Sequence, residues 1–104
     1  MKPVRIEFSK QAKGHLARIK RWSRDHGMLP VLQAEYARIV LGLLADHPEA
    51  GHVHEPDPRY RRILMPRSQL YVYYRFDREL GIVLIVAVWH TARGKLPRLW
   101  SGSR

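Results

Sequence analysis

Residues 59–90, RYRRILMPRSQLYVYYRFDRELGIVLIVAVWH, decide the fold. Three runs rich in β-branched and aromatic residues stand close together here: Tyr60 to Met65, Leu70 to Phe76 and Gly81 to His90, the first two joined around Pro66-Arg67-Ser68. Within the second run, Leu70, Val72, Tyr74 and Phe76 share one face, and Tyr71, Tyr73 and Arg75 share the other, which is the period of a strand. The third run is apolar on both faces, as expected for a strand inside a sheet.

Upstream the period changes. Between Lys10 and about His26, Ala12, Leu16, Ile19 and Trp22 recur at helical spacing, while Lys13, Lys20, Arg21 and Arg24 fall elsewhere. Ser9 is placed to cap this helix, and Gly27 suits the left-handed position that ends it. Pro30 opens a second helix whose apolar stripe is Leu32, Tyr36, Ile39, Val40, Leu43 and Leu44. Pro48 and Gly51 stop it, and the proline- and histidine-bearing stretch from His47 to Pro58 reads as a loop. Before the first helix, Val4, Ile6 and Phe8 alternate with Arg5 and Glu7 as in a strand with one buried face. The order β-α-α-β-β-β predicts an α+β fold, a curved and mostly antiparallel sheet with the two helices packed on one face. Trp22, Ile39, Leu43, Val72, Tyr74, Leu84 and Val86 are expected to meet in one core.

The 104 residues suit a single domain over 1–104, burying roughly 65% of the surface of the unfolded chain. With 19 Lys plus Arg against 9 Asp plus Glu, the formal net charge is +10 and the pI about 10.7, so an acidic partner is expected: nucleic acid, an anionic membrane or an acidic protein. The longest apolar run, Ile82 to Trp89, is too short to cross a bilayer, and no signal-peptide pattern opens the chain, so a cytoplasmic protein is expected. Zero cysteines exclude a disulfide scaffold and a thiolate metal site.

The strings Tyr60-Arg61-Arg62-Ile63-Leu64-Met65, Tyr71-Val72-Tyr73-Tyr74-Arg75-Phe76-Asp77 and Val83 to Ala92, in this order and spacing, resemble the ParE/RelE superfamily of type II toxin–antitoxin toxins. The resemblance runs from Val4 to about Arg98. It implies a toxin silenced by a cognate acidic antitoxin in a hetero-oligomer, with no cofactor. RelE-like members are ribosome-dependent endoribonucleases, whereas ParE-like members poison DNA gyrase. RelE itself is similar in fold but uses lysines after its second helix and a late tyrosine. This chain has no lysine between Lys20 and Lys95 and no tyrosine after Tyr74.

The leading expectation is therefore a ParE-like gyrase poison of the plasmid-stabilisation type. Its target contacts would be Arg93, Lys95 and Arg98, and Arg61, Arg62 and Arg75 would receive antitoxin carboxylates. The alternative is a ribosome-dependent mRNA endoribonuclease resembling YoeB-like toxins, with His90 as acid or base, Arg61, Arg62 and Arg75 steadying the phosphate, and Glu49 or Glu55 from the loop. A third possibility is a basic binding module that keeps the fold without toxicity. Each site residue also has a plainer role. His90 can fix the turn after its strand, the arginines can form a solvated face, and Tyr71, Tyr73 and Tyr74 can pack the sheet. His52 and His54 with Glu55 and Asp57 have metal-ligand character but lack a second pair at fixed spacing, so no metal is expected.

Overall fold

The computed structural model describes residues 4–99; residues 1–3 and 100–104 of the expected domain lie outside the described residues. Strand β1 (Arg5–Phe8) leads through Ser9 into helix α1 (Lys10–Asp25), and the Ser9 hydroxyl accepts the Ala12 N–H at 3.1 Å as the expected N-cap. Gly27, at φ +70°, takes the left-handed turn that releases the chain into α2 (Leu29–Glu35), with Pro30 in its first turn. That helix runs on as a π-helical segment, Tyr36–Leu44. Strands β2 (His52–Val53), β3 (Arg61–Met65), β4 (Leu70–Asp77) and β5 (Ile82–His90) follow. The sheet order is β1-β5-β4-β3-β2, with β1 parallel to β5 and every other pair antiparallel.

The short β2 is an addition to the expected element order. It occupies two residues of the stretch read as a loop, pairs His52 with Arg62 and Val53 with Arg61, and has both side chains exposed, so no alternation marks it in the sequence. Just before it, the Gly51 N–H donates to the buried Tyr74 hydroxyl at 2.8 Å. A Cβ at position 51 would sit 2.7 Å from that oxygen and 2.8 Å from the Arg62 carbonyl oxygen, so only glycine lets the chain come this close.

Both helices cover one face of the sheet, and the main core lies between them: Ala12, Leu32, Ile39, Val40 and Leu44 against Met65, Val72, Tyr74, Val83, Ile85 and Val88. The expected core needs four corrections. Leu43 is exposed and Leu44 fully buried instead, because i→i+5 hydrogen bonding takes up more residues per turn. The residue seven places after Tyr36 then no longer returns to the face of Tyr36. Trp22, on the last turn of α1, is 57% exposed and stacks on His26 at 4.0 Å, while Ser23 takes the buried position. Leu84 and Val86 belong to a second cluster on the opposite face, with Tyr60, Tyr71, Tyr73, Ala87, Trp89 and Leu99.

Register explains that second cluster. Tyr74 pairs with Ile85 but Tyr73 with Ala87, so Val86 is an extra residue in β5. Its carbonyl accepts from Gln11 Nε2 at 3.1 Å and from Ser9 Oγ at 3.3 Å, and the Val88 N–H donates to His15 Nδ1 at 3.3 Å. Beyond the end of β1, side chains of α1 and its cap thus satisfy the edge of β5 that no strand covers.

Candidate functional site

Two regions gather the residues with chemical potential: the end of the sheet where β5 runs out, and the sheet face that the helices leave uncovered. At the sheet end, the turn from Pro66 to Gln69 is anchored from beneath by Glu35, which is only 2% exposed. Its carboxylate accepts the N–H groups of Arg67 at 2.6 Å and Ser68 at 2.7 Å. Burial alone would push this carboxyl up, but the Ser68 side chain, the two N–H groups and Arg38, 3.9 Å away, outweigh it and hold Glu35 below the ordinary glutamate value. Sequence reasoning did not single out Glu35, because its partners lie more than thirty residues away.

Glu35→Gln is expected to cost about 1.5–3 kcal/mol of stability at pH 7, the range for hydrogen bonds to a charged group. The folded carboxyl ionises at lower pH than the unfolded one. The wild-type advantage is therefore complete above the unfolded value of about 4.3 and is lost as pH falls through the folded one. Denaturant melts of both proteins at neutral and acid pH check this; a gap that fails to narrow on acidification would contradict it.

His90 pairs with Leu70 at this same end and lies on the helix side. Its Nδ1 accepts the Ala92 N–H at 3.0 Å, and its carbonyl accepts the Arg93 N–H, so it fixes the turn that follows β5. The neighbouring Thr91 is tied to Gln69, N–H to carbonyl at 3.0 Å.

The three strand arginines do not meet His90. Arg61 is opposite Tyr74, four residues farther along β4 and therefore about 13 Å away at 3.3 Å per residue. There it donates to the Gly51 carbonyl at 2.9 Å and lies 3.6 Å from the Glu49 carboxylate, bracing the loop before β2. Arg62, opposite Tyr73, and Arg75, opposite Leu84, are on the uncovered face. Arg62 lies over the Tyr71 ring at 4.2 Å, and Tyr71 leans on Tyr73 at 6.1 Å. The buried His54 meets Tyr73 edge-on at 5.3 Å. Burial pushes the His54 imidazole below its ordinary value, with Arg62 adding to that and Asp57 opposing it. Neither Arg62 nor Arg75 has an acidic partner among the described residues, and no group of three His, Asp or Glu gathers there as a metal site.

The segment after β5 folds back along the molecule. Arg93 stacks on Trp89 at 4.0 Å, the Trp89 indole N–H donates to the Lys95 carbonyl at 2.8 Å, and the Gln11 amide donates to the Arg98 carbonyl. Pro97 is buried, whereas the side chains of Arg93, Lys95 and Arg98 remain exposed. Among the described residues no helix is long and apolar enough to cross a membrane.

The family model of the ParE toxin of the type II toxin–antitoxin system parDE matches residues 6–94. No curated protein sequence matches the chain. Among solved structures, the fold is similar to a chain of the toxin–antitoxin complex RelBE2 from Mycobacterium tuberculosis, at 22% identity and a TM-score of 0.62, covering 85% of this chain and 98% of that one.

Proposed function

The chain belongs to the ParE toxin family of type II toxin–antitoxin systems, and from that premise we propose that it inhibits growth by binding DNA gyrase and is silenced by an acidic antitoxin. The observation that carries this reading is the clamped C-terminal segment. Trp89 and Gln11 hold its backbone at two carbonyls, so Arg93, Lys95 and Arg98 are offered from a preordered element that loses little entropy on contact. An endonuclease built on His90 with Arg61, Arg62 and Arg75 would need those groups around one phosphate, and the register keeps them apart.

The antitoxin's carboxylates are assigned to Arg62 and Arg75 on the uncovered face, where neither has an acidic partner among the described residues. Arg61 joins them only by exchanging Glu49. An acidic segment that orders as it binds would cover the half-buried Tyr71 ring between those charges, over the already buried Tyr73.

Induction of the protein in growing cells tests the target. The expected outcome is a DNA-damage response, with loss of supercoiling by purified gyrase and intact mRNA. Cleavage of mRNA at ribosomal positions without a gyrase defect would sink the proposal. Co-expression with its acidic antitoxin should restore growth, and a partner that binds equally well to an Arg62→Glu, Arg75→Glu double variant would refute the assignment of the antitoxin face.

A further inference from the structure

A cavity of about 630 Å³ opens at the sheet end between α1, the β3–β4 turn and the end of β5, within the size range of small-molecule sites. Its walls carry three arginines, Arg18, Arg67 and Arg93, and two histidines, His15 and His90. Among the described residues no carboxylate lines it, and none of these arginines is in an ion pair, although Arg5, Arg38, Arg59, Arg61 and Arg78 all find one elsewhere.

Both imidazoles are fixed in the same sense. His15 Nδ1 accepts from the Val88 N–H and His90 Nδ1 from the Ala92 N–H, which leaves Nε2–H as the free donor of each neutral ring. Burial, then Arg18 and Arg93, push His15 below its ordinary value, so both guanidinium groups act on this one ring. One wall is indole: Trp89 meets His15 at 5.4 Å, and Trp22 lies on the rim. Fixed N–H donors and unpaired arginines suit a phosphate, whose oxygens take forked guanidinium contacts, while the Trp89 ring is already covered by Arg93 and the Trp22 ring by His26.

We propose that this cavity binds a phosphate monoester group, that of a free nucleotide or the terminal phosphate of a strand, with the phosphate among Arg18, Arg93 and the two imidazoles. The proposal does not depend on which macromolecule the toxin attacks, since occupancy requires neither gyrase nor cleavage.

Calorimetric titration of the full chain at physiological ionic strength tests it, with adenosine monophosphate, adenosine, and a single-stranded hexanucleotide with and without a 5′-phosphate as probes. Each phosphorylated probe is expected to bind at least about tenfold more tightly than its unphosphorylated form. Whichever of the two binds more tightly identifies the source of the group. Arg93→Gln and Arg18→Gln should each weaken adenosine monophosphate by about tenfold or more, and Arg59→Gln, paired with Asp57 at 2.7 Å, should not. If one of the cavity variants melts early, the other carries the comparison. Equal affinity for adenosine and its monophosphate would overturn the proposal, as would an equal loss in Arg59→Gln, which would mark general attraction to a cationic protein. Displacement of the nucleotide by oligoglutamate at matched charge would overturn it too, reassigning the cavity to an acidic peptide.

Discussion

Reversing the charge of Arg93, Lys95 and Arg98 together is expected to abolish growth inhibition while leaving the protein folded. All three side chains are exposed, and the contacts that hold the segment, from Trp89 to the Lys95 carbonyl and from Gln11 to the Arg98 carbonyl, use backbone oxygens that glutamate retains. Among the described residues, the change gives up the stacking of Arg93 on Trp89, about 0.5–1 kcal/mol at an exposed site. A target surface that recognises three cations would instead meet three like charges, which costs several kcal/mol in a contact of this kind. His90→Ala serves as the counterpart. It removes a turn contact at Ala92 and should lower the melting temperature slightly with toxicity kept. Full toxicity in the triple variant would end the tail-contact reading. Loss of toxicity and of mRNA cleavage together in a stable His90→Ala protein would put catalysis in its place.

Leu44→Ala is expected to destabilise the fold by about 2–5 kcal/mol, the usual cost of truncating a buried leucine, because Leu44 is fully enclosed between the second helix and the sheet. The adjacent Leu43→Ala should fall within about 0.5 kcal/mol, as for surface positions generally, since Leu43 is exposed. The pair isolates the winding of the segment Tyr36–Leu44. An ordinary α-helix would return residue 43 to the face of Tyr36, so a large loss at 43 and a small one at 44 in urea melts would contradict the π-helical winding.

What was legible from the residues alone had local causes. Ser9 as cap, Gly27 as the left-handed exit, Pro30 as the opening of a helix and the alternation of Leu70 to Phe76 are all set by neighbours within a few positions. The family strings were legible for the same reason. What could not be read depends on distant partners. The period of Tyr36–Leu44 is carried by hydrogen bonding rather than composition, so Leu43 and Leu44 looked interchangeable. The extra residue at Val86 shifts the register of β5, which no count along a single strand reveals. It turns Ala87 and Trp89 to the face where ordinary alternation already puts Leu84 and Val86. His90 stands apart from Arg61, Arg62 and Arg75 because facing and register, which order along the chain does not reveal, decide which side chains converge. The cavity arginines Arg18, Arg67 and Arg93 come from three different parts of the chain, and only the fold brings them to one wall.

The place of β5 in the sheet has a consequence for biosynthesis. The last strand to be translated is an interior one, flanked by β1 and β4, and it supplies Val83, Ile85 and Val88 to the main core. The contact that closes the sheet joins Arg5–Phe8 to Ile82–Ile85, across almost the entire chain. Such distant pairing is slow to form, and here it is also unavailable until the C-terminal strand has left the ribosome. At about 5–20 residues per second, a nascent chain spends several seconds between the emergence of β1 and that of β5, as helices and a partial hairpin sheet with β1 unpaired. The β1–β5 pairing, and with it the segment that folds back from the end of β5, therefore forms only after β5 has emerged.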